Sequence, residues 1–369
     1  MLIPGFATPG GTARFRQRFA PRMPGHFREV QGLWLSSIGI GTYLGEPANA
    51  IDALYREAIT RAISMGVNVI DSAINYRHQR SERAIAQALA GLLSSGKVQR
   101  DEIILATKGG FLTFDGDEPP DPSAYFQEKY LDTGIIRMEE VAADCHVMSP
   151  RFLENQIDAS RRNLGIETLD IYYIHNPETQ LSQVGHDEFF RRIKAAFATL
   201  EKAVAQGKIR MYGTATWNAF RAVPGSAGDL SLTDLLHAAE EVGGKGHHFQ
   251  AIQLPFNLVM QEALTTSSQE VNQKMVPLLQ VARAHKLMVF ASASLLQGQL
   301  SRGLPAKVQN CFPGMRTDAQ RAIQFSRSTP GISCALVGMS DIRHVDENLG
   351  TALTAPLTLE QLRTIFQGK

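Results

Sequence analysis

Eight short runs rich in β-branched and apolar residues, each followed by a longer amphipathic stretch, limit most severely what this chain can fold into. The runs are SSIGIGT, VNVIDSA, EIILATK, LDIYYIH, IRMYGTA, FQAIQLP, LMVFASA and SCALVGM. Between them lie stretches such as AIDALYREAITRAISMG, SERAIAQALAGLL, FLENQIDASRRNLG and FFRRIKAAFATLEKAVAQG, where apolar residues recur three and four apart and several ends fall at glycine. Strand and helix in strict alternation, eight times over, predict an α/β fold of the (β/α)8 or TIM-barrel kind. Ahead of the first run, FREVQGLWLS reads as a β-hairpin turning at Gln31-Gly32 and closing the bottom of the barrel. A doubly wound sheet is the competing architecture, and it needs a phosphate-cradling turn directly after its first strand. GIGTYLG, Gly39 to Gly45, is spaced G-x-G-x-x-x-G, and Glu46 to Asn49 delay the helix, so that architecture is rejected.

The expected organisation is an N-terminal arm, residues 1–26, and one barrel domain over 27–369. A long irregular insert, about 109–149, separates the third strand from its helix. Its FDGDEPPDPSAYF is too rich in Pro and Asp for a core element, and it lacks the alternating ligands, central glycine and terminal glutamate of a calcium loop. A long loop on the C-terminal face of a barrel borders the active site, so the insert's tip is expected near the substrate.

Composition removes several classes of partner. With 20% charged residues and a net charge of +1, the chain carries no field for nucleic acid or an anionic membrane, and no apolar run reaches the length of a membrane span. Three widely spaced cysteines, Cys145, Cys311 and Cys334, make neither a disulfide framework nor a zinc site. They fit a reducing compartment, and the cytoplasm is the expected location. The first thirty residues hold several arginines and no acid before Glu29, which reads either as a polar surface arm or as an organelle leader. No metal site is expected: Cys145-His146 has no second cysteine nearby, and His247-His248 falls in a turn at the barrel's other end.

The chemistry-bearing residues stand at strand ends. Asp71 ends the second run, Lys108 the third and His175 the fourth, while Tyr76 follows Asp71 by five residues. In a parallel barrel all strand C-termini share one rim, so an acid, an ammonium, an imidazole and a phenol collect there. A free phenol has a pKa of about 10, and a nearby ammonium eases release of its proton. A carboxylate would hold that ammonium, and the imidazole could orient a substrate oxygen. The set suits proton delivery to an oxygen on which negative charge develops, as in carbonyl reduction. Side chains cannot supply hydride, which implies a nicotinamide cofactor.

From about Phe27 to Leu349 the sequence resembles the aldo-keto reductase family. The motif D-T-A-x-x-Y followed by S-E has its counterpart in Asp71-Ser72-Ala73-Ile74-Asn75-Tyr76 with Ser81-Glu82. LATKGG, IYYIHNP, LEKAVAQGKIRMYGTATW, IQLPFN and GMSDIRHVDENLG follow in the family's order. The resemblance implies NAD(P)H-dependent reduction of an aldehyde or ketone, with Tyr76 as general acid, Lys108 tuning it, Asp71 pairing with Lys108 and His175 orienting the carbonyl. It implies a cofactor, NADP with NAD as the other choice, extended across the strand ends. Thr42, Tyr43, Asp71, Thr216 and Gln253 would serve its nicotinamide half, and Leu295, Gln297 and Gly298 its pyrophosphate. Ser340, His344, Glu347 and Asn348 would hold its adenosine end, where a helix N-terminus suits an anion.

Several positions depart from the family pattern. Ala215-Thr216 stands where Ser-Asn is usual after the fifth strand, and Ser292 stands where many members stack an aromatic on the nicotinamide. Trp217 or Tyr43 are the candidates to compensate. Asp341 opposes a 2′-phosphate that Arg343 and His344 would favour. These departures keep open a redox-sensing barrel that binds the dinucleotide with little turnover. A hydrolase or lyase barrel is the third reading, and no metal cluster or phosphate site supports it.

Overall fold

The computed structural model describes residues 2–223, 225–226 and 228–367. All eight expected runs are strands, and they close on themselves. β1 (Phe27–Val30) and β2 (Leu33–Ser36) form the antiparallel hairpin, with Gln31 and Gly32 both left-handed at its turn. The barrel strands that follow are β3 (Ile38–Gly41), β4 (Val69–Asp71), β5 (Ile104–Gly109), β6 (Leu169–His175), β7 (Ile209–Ala215) and β8 (Phe249–Pro255). A second hairpin, β9 (Ser267–Val271) and β10 (Lys274–Pro277), precedes the last two barrel strands, β11 (Met288–Ser292) and β12 (Cys334–Gly338). Each barrel strand pairs in parallel with its neighbours, and β12 returns to β3 to complete the ring.

Alternation along the strands sorts side chains between two apolar layers. Inward residues such as Val69, Ile104, Ile171, Tyr173, Met288, Phe290 and Leu336 fill the barrel. Leu33 and Leu35 of the hairpin join that cluster, and so does Ala7, so the bottom is plugged by chain from outside the ring. Outward residues such as Ile70, Tyr172, Tyr212 and Ile252 pack under the helices. The adjacent Tyr172 and Tyr173 thus face opposite layers. At Gly213 a β-carbon would lie 1.6 Å from the Ala251 carbonyl oxygen, so β7 can approach β8 this closely only with glycine there.

The N-terminal residues are built into the bottom. Pro9–Phe19 is a helix capped by Thr8, with Phe15 fully buried. Its arginines have partners: Arg14 bonds Asp101 and Glu102, Arg18 bonds Glu102, and Arg16 lies 4.2 Å over the Trp34 ring. The insert carries a small apolar cluster of its own, Tyr130, Ile136 and Val147 with Phe152. Its acidic tip faces outward, with Asp115 paired to Arg83 and Asp117 near Arg80. No group of three or more His, Cys, Asp or Glu side chains among the described residues could hold a metal. No described helix is long and apolar enough to cross a membrane.

Candidate active site

Parallel pairing brings the ends of β4, β5 and β6 side by side, and the candidate residues with them. Lys108, wholly buried, donates from Nζ to Asp71 Oδ2 and to the Ser72 carbonyl, both at 2.7 Å. Its third direction points at Tyr76 Oη, 3.4 Å away, a long contact of the kind that tightens once a substrate is bound. Asp71 is saturated from the other side by Gln253 Nε2 at 2.7 Å, so Gln253 both lines the cleft and steadies the acid. The Tyr76 ring meets Tyr43 edge-on at 5.0 Å and His175 edge-on at 5.8 Å.

The electrostatics differ from the simple expectation that lysine lowers the phenol's pKa. Burial is the largest influence on Tyr76 and raises it; Lys108 opposes that rise and Asp71 adds to it. In this structure the phenol therefore keeps its proton. Burial works against the charge on Lys108, but Asp71 and then Tyr76 outweigh it, and the ammonium persists. His175 is driven well below its ordinary range by burial, then by Lys108 and His146, and its imidazole is neutral.

The turn carrying Tyr76 is held in a costly conformation. Arg77, His78 and Gln79 are all left-handed, with φ of 47°, 53° and 70°, a geometry disfavoured by about 1–2 kcal/mol per residue. Buried Arg77 offsets this through an ion pair with Asp52, a bond to Ser81 and a position 4.7 Å over the Tyr55 ring. Ser81 in turn donates to the Thr42 carbonyl, and buried Glu82 accepts from Thr107 and Asn163. Those two residues fasten the following helix, Arg80–Ser94, to the neighbouring strands.

A cleft of about 450 Å³, open to solvent, runs from Tyr76 across the rim to the last βα turn. Thr42, Tyr43, Asp71, Gln253, Leu295, Gln297, Gly298, His344, Glu347 and Asn348 all line it. Trp217 and Ser292 do so as well, while no residue of the 109–149 insert does. The insert instead meets the site from behind, through Phe111 and His146. Lys108, His175, Thr216 and Ser340 lie outside the cleft lining. Lys108 is enclosed beneath Tyr76, and the Thr216 hydroxyl is buried without a partner. Thr42 spends its hydroxyl on the Asp71 carbonyl and Ser72.

An unpaired hydroxyl beside Gln253 fits a carboxamide, and a long cleft over the strand ends fits an extended dinucleotide. At the far end Arg343 is not a free cation. Asp341 caps the Ile342–Leu349 helix and binds the Arg343 guanidinium, which lies 86% exposed. Among the described residues no lysine or arginine lines the cleft, and His344 is its only basic side chain.

Sequence reasoning passes over several residues that shape this site. Glu178 accepts from the backbone N–H groups of Trp217 and Asn218 and so fixes the Trp217 wall, its carboxyl raised by burial. His146, read as part of a loop, is buried against His175. A polar residue three positions past a strand end that carries a candidate residue, as Glu178 is past His175, is the available signal for the first. Nothing in the sequence points to the second.

Residues 37–303 match the profile of the Aldo/keto reductase family. The chain is 27% identical over 190 residues to the NADH-specific methylglyoxal reductase of Escherichia coli, covering 50% of this chain and 49% of that one. It is 26% identical over 199 residues to the 6-dehydroglucose reductase of Novosphingobium aromaticivorans, covering 53% of each. The chain thus spans about half the length of the named relatives it matches. The fold is similar to an aldo/keto reductase of Klebsiella pneumoniae solved with NADP and acetate, with a TM-score of 0.62, 21% identity and coverage of 93% and 95% of the two chains. It is also similar to a glycerol dehydrogenase of Gluconobacter oxydans, with a TM-score of 0.65, 18% identity and coverage of 94% and 95%.

Proposed function

Since the chain belongs to the aldo/keto reductase family, we propose that it reduces an aldehyde or ketone to an alcohol, or runs the reverse, with a nicotinamide dinucleotide. The observation that carries this reading is the buried Lys108 ammonium, held by Asp71 and Ser72 and aimed at the Tyr76 phenol. When bound, the dinucleotide supplies the hydride. The residues of the chain manage the oxygen: Tyr76 gives its proton from Oη, and Lys108 stabilises the phenolate left behind. Neutral His175 offers an N–H that holds the carbonyl oxygen near Tyr76. Asp71 keeps Lys108 charged, and Gln253 keeps Asp71 oriented. Trp217 and Tyr43 flank the mouth and shield the reacting atoms from water.

The substrate is a small carbonyl compound. NADP is the proposed cofactor, with NAD the other choice. The distinction rests on Arg343, which the family pattern would turn toward a 2′-phosphate and which Asp341 holds outside the cleft. The NADH-specific relative and the neighbour solved with NADP bracket the two outcomes. Three free cysteines support a reducing compartment such as the cytoplasm.

The test is a fluorescence titration with NADPH and NADH for the wild type and Tyr76→Phe, followed by a panel of aldehydes. Both proteins should bind nucleotide equally, while turnover in the variant falls by about 10²- to 10⁴-fold, the usual worth of a general acid. Binding without turnover by the wild type would instead mark a redox-sensing barrel. Asp341→Asn should free Arg343 and improve NADPH affinity over NADH by about two- to fivefold, the scale of an exposed ion pair.

A further inference from the structure

We infer that His146, on the 109–149 insert, is a positioning residue for His175, and that this is how the insert serves the active site. The inference rests on the reading of His175 as the residue that orients the carbonyl. His146 is completely buried, and its Nε2 lies 2.7 Å from the His175 carbonyl oxygen. Its other nitrogen, Nδ1, is 3.2 Å from Gln180 Nε2, and the same amide donates to the His146 carbonyl at 2.8 Å.

The direction of every bond in this chain is determined. Arg192 can only donate, and its NH1 lies 2.6 Å from Gln180 Oε1, which fixes the orientation of the amide. The amide NH₂ therefore faces His146 Nδ1, which must accept. The imidazole proton is left on Nε2, where it donates to the His175 carbonyl. Burial lowers the His146 pKa to about 4, so this single neutral tautomer is kept at neutral pH. Arg192 is itself anchored by Glu188 and the Glu139 carbonyl.

Packing fixes the same histidine from the side. The Phe111 ring stands edge-on to His146 at 5.1 Å and to His175 at 5.0 Å. Phe111 and His146 are bridged as the two ends of the insert come together, with Val147 donating to the Gly110 carbonyl and Leu112 to that of Cys145. A β-carbon at Gly110 would lie 2.8 Å from His146 Nε2 and 3.2 Å from the His175 carbonyl oxygen, so glycine is required for this approach. The long insert thus acts as a brace behind His175 and contributes no side chain to the cleft lining.

The experiment compares His146→Ala, His146→Gln and Gln180→Leu in the full-length protein. Nucleotide affinity, aldehyde turnover and the ¹⁵N resonances of the His175 ring are measured for each. His146→Ala should bind NADPH within about twofold of wild type while kcat falls about ten- to hundredfold, the scale of a misplaced reacting group. Glutamine can extend an N–H toward the same carbonyl, so His146→Gln should recover most of kcat and return the His175 resonances. Gln180→Leu removes the donor to Nδ1 but leaves the Nε2–H bond to the His175 carbonyl, and it should show a smaller loss. Unchanged kcat and unchanged His175 resonances in His146→Ala would overturn the inference. So would a loss of nucleotide binding in step with kcat in both His146→Ala and Gln180→Leu, which would mark a general structural role. If the wild type reduces no carbonyl, the functional reading fails, but the His175 resonances still decide the brace: shifted in the alanine variant and restored by glutamine, or not.

Discussion

Asp71 receives Lys108 on one oxygen and Gln253 on the other, and of the two donors Lys108 is wholly buried. Asp71→Asn would leave a buried ammonium without its countercharge, a change worth about 3–5 kcal/mol when one partner of a buried pair is removed. Denaturant unfolding should register that loss, and turnover should fall with it because Lys108 would no longer be held charged beneath Tyr76. Buried histidines, His26 and His146 among them, also make stability depend on pH. Burial lowers His26 from 6.5 to about 3 and His146 from 6.5 to about 4. Both stay neutral in the folded chain and take up protons on unfolding, so the unfolded state binds more protons below pH 6.5. Stability is therefore complete above that pH and falls as the pH drops toward the folded values. The slope is up to about 1.4 kcal/mol per pH unit for each histidine. Unfolding free energies measured from pH 7 to pH 4 should flatten in His26→Leu relative to wild type, once the variant's lower starting stability is subtracted.

Among elements, the eight barrel strands and the first hairpin were legible because each carries its own evidence: β-branched runs, a period of two and glycine punctuation. The Pro9–Phe19 helix was not. PGGTARFRQRF opens with proline and two glycines and has few apolar positions, and its support comes from Asp101 and Glu102, some ninety residues away. The second hairpin was missed for a related reason: its turn, Asn272-Gln273, is left-handed at both residues but lacks the glycine that marks such turns in a sequence. At the site, Asp71, Lys108 and His175 could be found because each ends a recognisable strand, and Glu178 left only the weak signal of its place just past one. Arg77 and His146 could not, since their partners Asp52 and His175 lie on other elements. The N-terminal helix gives a prediction of its own. Phe15→Ala should destabilise the protein by about 3–5 kcal/mol, as for other fully buried phenylalanines. Nucleotide affinity should hold, because the helix closes the barrel at the end away from the cleft.

The whole molecule is a ring closed by β12 against β3, with its plug at one end and its cleft at the other. The cleft draws its lining from β8 and from the ends of β3, β4, β7, β11 and β12 with the loops that follow them, so a dinucleotide lying along it would tie together much of the rim. Binding should therefore stabilise the fold as a unit. At a nucleotide concentration 100 times Kd the gain is about 2.7 kcal/mol, and thermal melting with each nucleotide would rank the two independently of any substrate. The same polarity has an optical consequence. The chain has two tryptophans: Trp34 stands in the hairpin at the plugged end beneath Arg16, and Trp217 stands at the mouth, anchored by Glu178. Each end of the barrel thus carries its own fluorophore. In Trp34→Phe the remaining emission reports only on the mouth, and in Trp217→Phe only on the base, so opening of the rim and loosening of the plug can be watched as separate events in one protein.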